Sequence, residues 1–428
     1  MFDFISSLGL DPNALLASIV IAAVVLYLAY RRYIVAALEP LTMYVLILIA
    51  DSTLMFALPW NNTDRWKYVG FLFAFWIGFV CRRKARLSKD RIQLKSESVF
   101  DLCTILVLLC AIIVAGNLFL GLTAGFPLLS DNPSAAKVTD LTGGLGTIKR
   151  LNMGPYLFFC CGCILMAALG HQRRLVLFML FLATSLVILG GSKSVLLPVV
   201  YVMSLVVYHK GMGVGVALQK AARKYTLIAL GAAIGIALLV TTKDQGSLMM
   251  GVSNLFSRVL LSGDVILYYF PRRDAIIGAL DASFFGFVSN LFSDTLGFLR
   301  LASYQEALGS IILGNSEGFG PNVQFFIQAD LFFNLVGGLI FSCLLGYLVA
   351  SLRHLYFASR TKSAITLTFQ CVLALCAFDL AIESGMFMTE IFTLMLIVMP
   401  LWGMARIIRL VLTTIASATS TEPVKSSG

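Results

Sequence analysis

The sequence predicts an all-α protein that crosses a membrane many times. Of its 428 residues, 59% are apolar and only 13% are charged, whereas a soluble domain carries about 25% charged residues. Long apolar runs follow one another, most of them near the roughly 20 residues that a helix needs to cross a bilayer. This composition excludes a water-soluble enzyme, a nucleic-acid-binding domain and a disordered protein.

Eleven apolar runs predict membrane-spanning helices. They cover about residues 14–30, 39–59, 68–81, 99–118, 153–170, 175–190, 194–208, 225–242, 328–350, 364–382 and 385–404. The sixth and seventh runs are short and are joined by a Gly-Gly-Ser-Lys turn, so they form either two crossings or one broken pair. We expect one polytopic membrane domain over residues 1–416 and a disordered tail over 417–428. No Lys or Arg precedes the first run, so we expect this run to be a retained span and not a signal peptide.

The distribution of Lys and Arg predicts the orientation. The net charge is +10, and 21 of the 32 basic residues fall in alternate loops, which leaves 11 on the other side. Because cytoplasmic loops are the richer in Lys and Arg, the N-terminus is expected outside and the C-terminus inside. Two outside loops are long, about residues 121–153 and 243–328. The second alternates apolar stretches with single charges, which is typical of helices at the membrane surface and leaves room for one further pair of crossings.

The outside cations are the unusual feature, because topology alone disfavours them. A phosphate or pyrophosphate held at the membrane surface would explain them, since guanidinium groups bind phosphate oxygens in pairs. Pairing with nearby carboxylates or with lipid headgroups is the alternative. The candidate phosphate-binding residues are Arg150, Lys193, Arg258, Arg272, Arg273 and Arg300.

The positions of the cysteines, histidines and carboxylates limit the kinds of site that we expect. All nine cysteines lie in or beside apolar runs, and all three histidines fall in loops assigned to the cytoplasm. We therefore expect no histidine base outside, no metal site and no cofactor. Carboxylates also occur within or beside the predicted spans, where they either pair with cations or couple ions in a transporter. These are Asp51, Asp379, Glu383 and Glu390.

Several short motifs between about residues 120 and 350 resemble those of the Wzy-type O-antigen polymerases, which join oligosaccharide repeat units. Phe126–Ser130, Gly143–Gly146 and Arg150–Asn152 resemble the first long outside loop of this family, and Gly190–Ser194 resembles its Gly-Ser-Arg turn. The residues that resemble the start and the end of the family's large outside loop are Arg258, Ser262–Asp264, Tyr268–Tyr269, Gly320–Asn322 and Gly337–Gly338. Two positions differ from the family, because Lys193 and Lys137 occur where Arg is usual. Lysine keeps the positive charge, but it cannot bind a phosphate with two parallel hydrogen bonds as arginine does.

The resemblance implies a glycosyltransferase at the periplasmic face of the bacterial inner membrane. The growing glycan would move from undecaprenyl pyrophosphate onto a new lipid-linked repeat unit, without nucleotide or nucleic acid. Cations such as Arg150, Lys193 and Arg258 would stabilise the leaving pyrophosphate. A carboxylate would take the proton of the acceptor hydroxyl, and the candidates are Asp264, Glu306 and Glu383. The expected partners are lipid-linked oligosaccharides, the bilayer and a chain-length regulator protein.

Two other functions fit the same sequence. An O-antigen ligase would share the membrane architecture, but we would expect it to carry a histidine on the outer face. A transporter or flippase of lipid-linked glycan would use the carboxylates within the spans, but no inverted repeat is visible and two long outside loops argue against it.

Overall fold

The computed structural model describes residues 12–82, 92–131, 133, 146–191, 196–209, 216–245, 265–293, 295, 304, 307, 310–311 and 324–419. Within these residues every regular element is a helix. The first half contains α1 (Pro12–Tyr30), α2 (Pro40–Ala57), α3 (Asn62–Cys81), α4 (Ser96–Ala124), α5 (Gly146–Lys149), α6 (Gly154–Ala168), α7 (Arg173–Leu189), α8 (Leu196–Tyr208) and α9 (Val216–Gln245). The second half contains α10 (Val265–Tyr269), α11 (Arg273–Ala279), α12 (Phe284–Phe292), α13 (Phe325–Phe332), α14 (Leu335–Phe357), α15 (Ala364–Cys376), α16 (Asp379–Ile382) and α17 (Ser384–Thr419).

Several of these helices can cross a membrane. Seven stretches of the described residues are long and apolar enough: Asn13–Tyr30, Pro40–Ala57, Ser96–Ala124, Arg150–Ala168, Leu335–Phe357, Ala364–Ile382 and Ser384–Ser417. The helices over Val265–Ala279 and Phe284–Phe292 form a further pair bent by 100°, which would make eight if counted as one span. The protein is therefore an all-α membrane protein. Eleven spans stay a prediction.

The differences from the predicted spans have local causes. Each predicted run contains a helix, but α7 and α8 have only 17 and 13 residues. The first turns of α3 carry Asp64, Arg65 and Lys67, which lowers its hydropathy. The predicted span 328–350 is two helices, because the chain extends at Phe333 and the Asn334 side chain then caps α14 by accepting a hydrogen bond from Gly337 N at 2.7 Å.

The two segments predicted as long outside loops and the predicted tail are described in part. The second segment contains α10 to α12, and its position at the outer membrane surface stays a prediction. Helix α17 continues to Thr419, three residues into the predicted tail, and residues 420–428 lie outside the described part of the chain.

One end of the helix bundle is held by a buried ion pair. Glu39, fully buried before α2, accepts a hydrogen bond from Arg353 near the end of α14, with 2.6 Å between Oε2 and Nη2. The same guanidinium donates to Tyr33 O at 2.7 Å. At this end the Ser98 hydroxyl also accepts from Ala364 N, which ties the start of α4 to the start of α15. We call it the basic end, since Arg31, Arg32, Arg353, Arg360 and Lys362 lie there.

The opposite end is where α2, α4 and α15 terminate and where α14 and α17 begin, and we call it the loop end. Between the two ends, glycines allow helices α3 and α14 to approach closely. A Cβ on Gly78 of α3 would lie 1.8 Å from Cys343 O of α14, and one on Gly346 would lie 2.0 Å from Phe75 O. Helices α3 and α14 therefore touch backbone to backbone, as small residues permit in membranes.

Gly78→Ala should lower the melting temperature in detergent, because overpacking such a contact costs about 1–3 kcal/mol. The matched control is Gly403→Ala, at an exposed position of α17 with nothing within 4 Å of its Cβ. This control should be neutral or stabilising by up to ~1 kcal/mol, since alanine favours helix. Equal melting temperatures for both variants would contradict the close α3–α14 contact.

Candidate functional site

Segments distant in sequence meet at the loop end around Asn117, a buried amide near the end of α4. Its side chain exchanges two hydrogen bonds with the Asn152 side chain, both of 2.9 Å. A Cβ on Gly190, just after α7, would lie 3.8 Å from Asn117 Oδ1. Next to it, Leu151 packs against Gly116. The turn over residues 146–152 is therefore bonded to α4, and the end of α7 lies close to the same residue of α4.

A second contact joins the Gly-Gly turn to the first long loop. Gly191 has φ +77°, a left-handed conformation that glycine adopts without strain, and its Cβ position lies 3.0 Å from Pro127 Cβ. Pro127 opens a single 3₁₀ turn over Pro127–Leu129. Lys243 at the end of α9 donates to Leu128 O at 3.1 Å and to Ser130 O at 3.4 Å. The loop end thus contains contacts among four parts of the chain.

A network of charges centres on Asp330 of α13. Its carboxylate accepts from Lys67 Nζ at 2.9 Å, from the Tyr269 hydroxyl at 2.9 Å and from Arg273 Nη2 at 3.0 Å. Arg273 Nη1 also lies 3.9 Å from Asp64 Oδ1. The network contains two cations and two carboxylates, so its formal charges balance.

Burial and the Asp330 carboxylate determine the protonation of Tyr269 and Arg273. Burial raises the pKa of Tyr269, and the Asp330 carboxylate raises it further, so the phenol keeps its proton and donates it. Burial lowers the pKa of Arg273, but the attraction of Asp330 outweighs this and the pKa is raised. Arg273 is therefore permanently charged and already paired, which is the alternative that the sequence left open for outside cations.

Acidic groups lie together where α15, α16 and α17 meet. The thiol of Cys376 and carboxylate oxygens of Asp379 and Glu390 lie within 4.8 Å of one another. Glu390 is 5% exposed, and its Oε2 accepts no hydrogen bond from the described residues. Glu383 is half-buried at the break between α16 and α17. Carboxylates this close need a proton or a cation between them, and the sulfur and oxygen donors are of types that divalent metals accept.

Two buried glutamine side chains lie between these acidic groups and α2. Gln328 Oε1 of α13 accepts from the Ser384 hydroxyl at 3.2 Å. One turn before it, Gln324 donates to Asp51 Oδ1 at 2.9 Å, and Asp51 is fully buried in α2. Gln324, the N-cap residue of α13, and Gln328 and Asp330 within this helix therefore all make polar contacts with other helices at the loop end.

The described part of the chain contains four of the predicted site residues. Arg150 is half-buried two residues before Asn152, Arg272 is half-buried before α11, Arg273 binds Asp330, and Glu383 lies beside the acidic groups. Five others lie outside the described residues: Lys193, Arg258, Asp264, Arg300 and Glu306.

Sequence reasoning missed Asp330, which binds Lys67 and Arg273. Asp330 lies within the apolar run predicted as the span 328–350. An acidic residue in a span needs a cation or a hydrogen-bond donor beside it, and this requirement could have identified Asp330.

No family model, no curated protein and no solved structure matches this chain. The functional argument therefore depends on the geometry of its own residues.

Asp330→Asn should lower the free energy of unfolding by about 1–3 kcal/mol, because it removes the carboxylate that two half-buried cations share. The measurement is thermal unfolding in detergent. Asp274→Asn is the matched control, since Asp274 is exposed in α11, close to Arg273 in sequence. If the two variants unfolded at the same temperature, the network would not hold α3, α11 and α13 together.

Proposed function

We propose that the protein is a membrane glycosyltransferase that polymerises polyprenyl-pyrophosphate-linked oligosaccharide repeat units into an O-antigen-type polysaccharide. In this proposal the loop end faces the periplasm of a bacterium and the basic end faces the cytoplasm. The concentration of Lys and Arg at the basic end supports this orientation, because cytoplasmic loops carry the excess of positive charge. The proposal includes the eleven spans, with the N-terminus outside and the C-terminus inside.

The observation that carries the proposal is the convergence around Asn117. Pro127–Leu129, Arg150–Asn152 and Gly190–Gly191 are three segments by which the sequence resembles the polymerases. Asn152 bonds Asn117, Gly190 lies close to Asn117, and Gly191 lies against Pro127. Sequence distance alone would not bring them together. Their meeting point carries Arg150, and Lys193 follows Gly191 by two residues in the sequence.

The chemistry of the proposal assigns a role to each group. The acceptor sugar hydroxyl attacks the anomeric carbon of the donor glycan, and the bond from this carbon to the pyrophosphate oxygen breaks. Fixed cations offset the charge that develops on the pyrophosphate, and we assign this to Arg150, Lys193 and Arg258, with Arg272 and Arg300 nearby in sequence. The hydroxyl proton passes to a carboxylate.

Among the three candidate bases, Glu383 is the one in the described residues. It is half-buried at the break between α16 and α17. Asp264 and Glu306 stay candidates on sequence grounds. Glu383 lies beside the carboxylates of Asp379 and Glu390, and carboxylates gathered within a membrane domain are typical of functional sites.

A transporter of lipid-linked glycan is the second candidate, and the acidic group at Cys376, Asp379 and Glu390 is the observation that favours it. Buried carboxylates in membrane helices commonly serve as proton or ion relays. A transporter moves its substrate without forming a new bond, and this separates the two functions.

Arg258→Ala in the native bacterium should abolish long glycan chains and leave lipid cores that carry a single repeat unit. The physical reason is the loss of a cation that stabilises the leaving pyrophosphate, typically worth about 10²–10³ in rate. Electrophoresis of the extracted glycolipids measures the chain lengths.

The control for this variant is Arg360→Ala, an exposed cation of the basic end, which should leave chain lengths unchanged. Unaltered long chains with Arg258→Ala at normal protein levels would count against the proposal. A bare core in the deletion strain would indicate a ligase.

A further inference from the structure

A groove runs along the membrane-embedded part of the protein between α1 and α3, with α2 as its floor. Its volume is about 590 Å³, which lies within the range of sites for organic ligands. Its walls are apolar or aromatic except for the Ser18 hydroxyl and for Ser52 and Tyr68, whose hydroxyls satisfy each other at 2.9 Å. Ile21, Val25 and Phe73 are each more than half exposed along it, so the groove opens sideways toward lipid.

Contacts between α1 and α3 close the groove toward the basic end. There, Trp76 Nε1 donates to Ala29 O at 3.4 Å, and the Tyr30 and Phe79 rings pack edge to face at 5.5 Å. Toward the loop end, Phe56 and Val69 line the groove, and we call this part its mouth. An elongated lipid in the groove would therefore have its polar end at the loop end.

One cation stands above this mouth. Val69, Leu72 and Trp76 line the groove at helical spacing, and Arg65 continues the same stripe of α3 one turn beyond it. Arg65 Nη2 donates to Leu58 O at 2.7 Å, which places the guanidinium over the end of α2. Its Nε is buried and has no hydrogen-bond partner among the described residues.

The depth of Arg65 matches that of a lipid headgroup. Trp66, the next residue, is 75% exposed, and Trp60 precedes α3. Tryptophans mark the boundary between hydrocarbon and headgroups. The mouth of the groove therefore lies where the phosphate of a membrane lipid would lie.

We propose that the groove between α1, α2 and α3 binds the isoprenoid chain of a polyprenyl diphosphate, with the diphosphate on Arg65. This inference rests on the proposed function, and it adds a lipid-binding site to it. The groove is one cavity that the contact between Trp76 and Ala29 closes toward the basic end, which suits a lipid with one chain. A phospholipid, by contrast, carries two chains side by side. The Arg65 guanidinium is half-buried one turn beyond the groove, and it suits a diphosphate because such pairs are charge-assisted.

The test uses a photoreactive polyprenyl diphosphate bound to the full-length protein in nanodiscs of phosphatidylethanolamine and phosphatidylglycerol. Labelling should map to peptides of α1 and α3, and unlabelled polyprenyl diphosphate should compete for it. Val25→Trp fills the groove and should reduce labelling about tenfold, which corresponds to ~1.4 kcal/mol. Arg65→Gln should reduce it by a similar factor, because a hydrogen bond to a charged group is worth about 1.5–3 kcal/mol.

The matched control is Val24→Trp, because Val24 is the neighbouring valine of α1, is similarly exposed at 53% against 58%, and does not line the groove. It should label like the unmodified protein, as should Arg360→Gln. The proposal is overturned if excess phosphatidylglycerol competes as well as polyprenyl diphosphate, if labelling maps to other helices, or if Val24→Trp and Val25→Trp behave alike. Competition in the unmodified protein decides the question even if a variant does not fold.

Binding is measured without turnover, so its outcome is separable from that of the proposed function. Specific labelling of a protein that does not elongate glycans would support lipid binding in the groove and contradict the polymerase function. Elongation without labelling of α1 and α3 would support the polymerase function and contradict lipid binding in the groove.

Discussion

A charge placed among membrane helices needs a partner, because neither water nor a high dielectric is there to solvate it. This constraint explains how both ends of the bundle are built. At the basic end the fully buried Glu39 is met by Arg353, which joins the loop before α2 to α14. At the loop end Asp330 is met by Lys67 and Arg273, which joins α13 to α3 and α11. In each case the contact connects elements far apart in sequence.

The same constraint separates cations that stabilise the fold from cations that are open to a ligand. Lys67 and Arg273 satisfy Asp330, and Lys243 is held by two backbone carbonyls. Arg65 donates to Leu58 O and lies one turn beyond an apolar groove. A substrate with a diphosphate and a long hydrocarbon chain would complement these two features together.

Much of the fold could be predicted from the sequence, because hydropathy directly reports which helices lie in lipid. Each predicted run contains a helix, and the all-α membrane class is confirmed. The break at Asn334 was not predicted, since a single polar residue in an apolar run does not reveal that its side chain will cap a new helix. Asp330 was missed for a related reason: its partners lie 263 and 57 residues away, and no local pattern records such a contact.

The candidate site was predicted by residue type but not by arrangement. Short motifs predicted Arg150 and the Gly190–Gly191 turn. The structure adds that Asn152 bonds Asn117 and that Gly190 lies close to it, and no motif included Asn117. Arg273 was predicted as a phosphate ligand because its loop was predicted to lie outside. Charge alone could not show that a carboxylate within reach already binds it.

Purified protein in proteoliposomes, supplied with its lipid-linked repeat unit and with no ion gradient, separates a polymerase from a transporter. We expect a ladder of longer lipid-linked glycans together with release of polyprenyl pyrophosphate. Movement of the repeat unit across the bilayer with no new glycosidic bond would contradict the polymerase function.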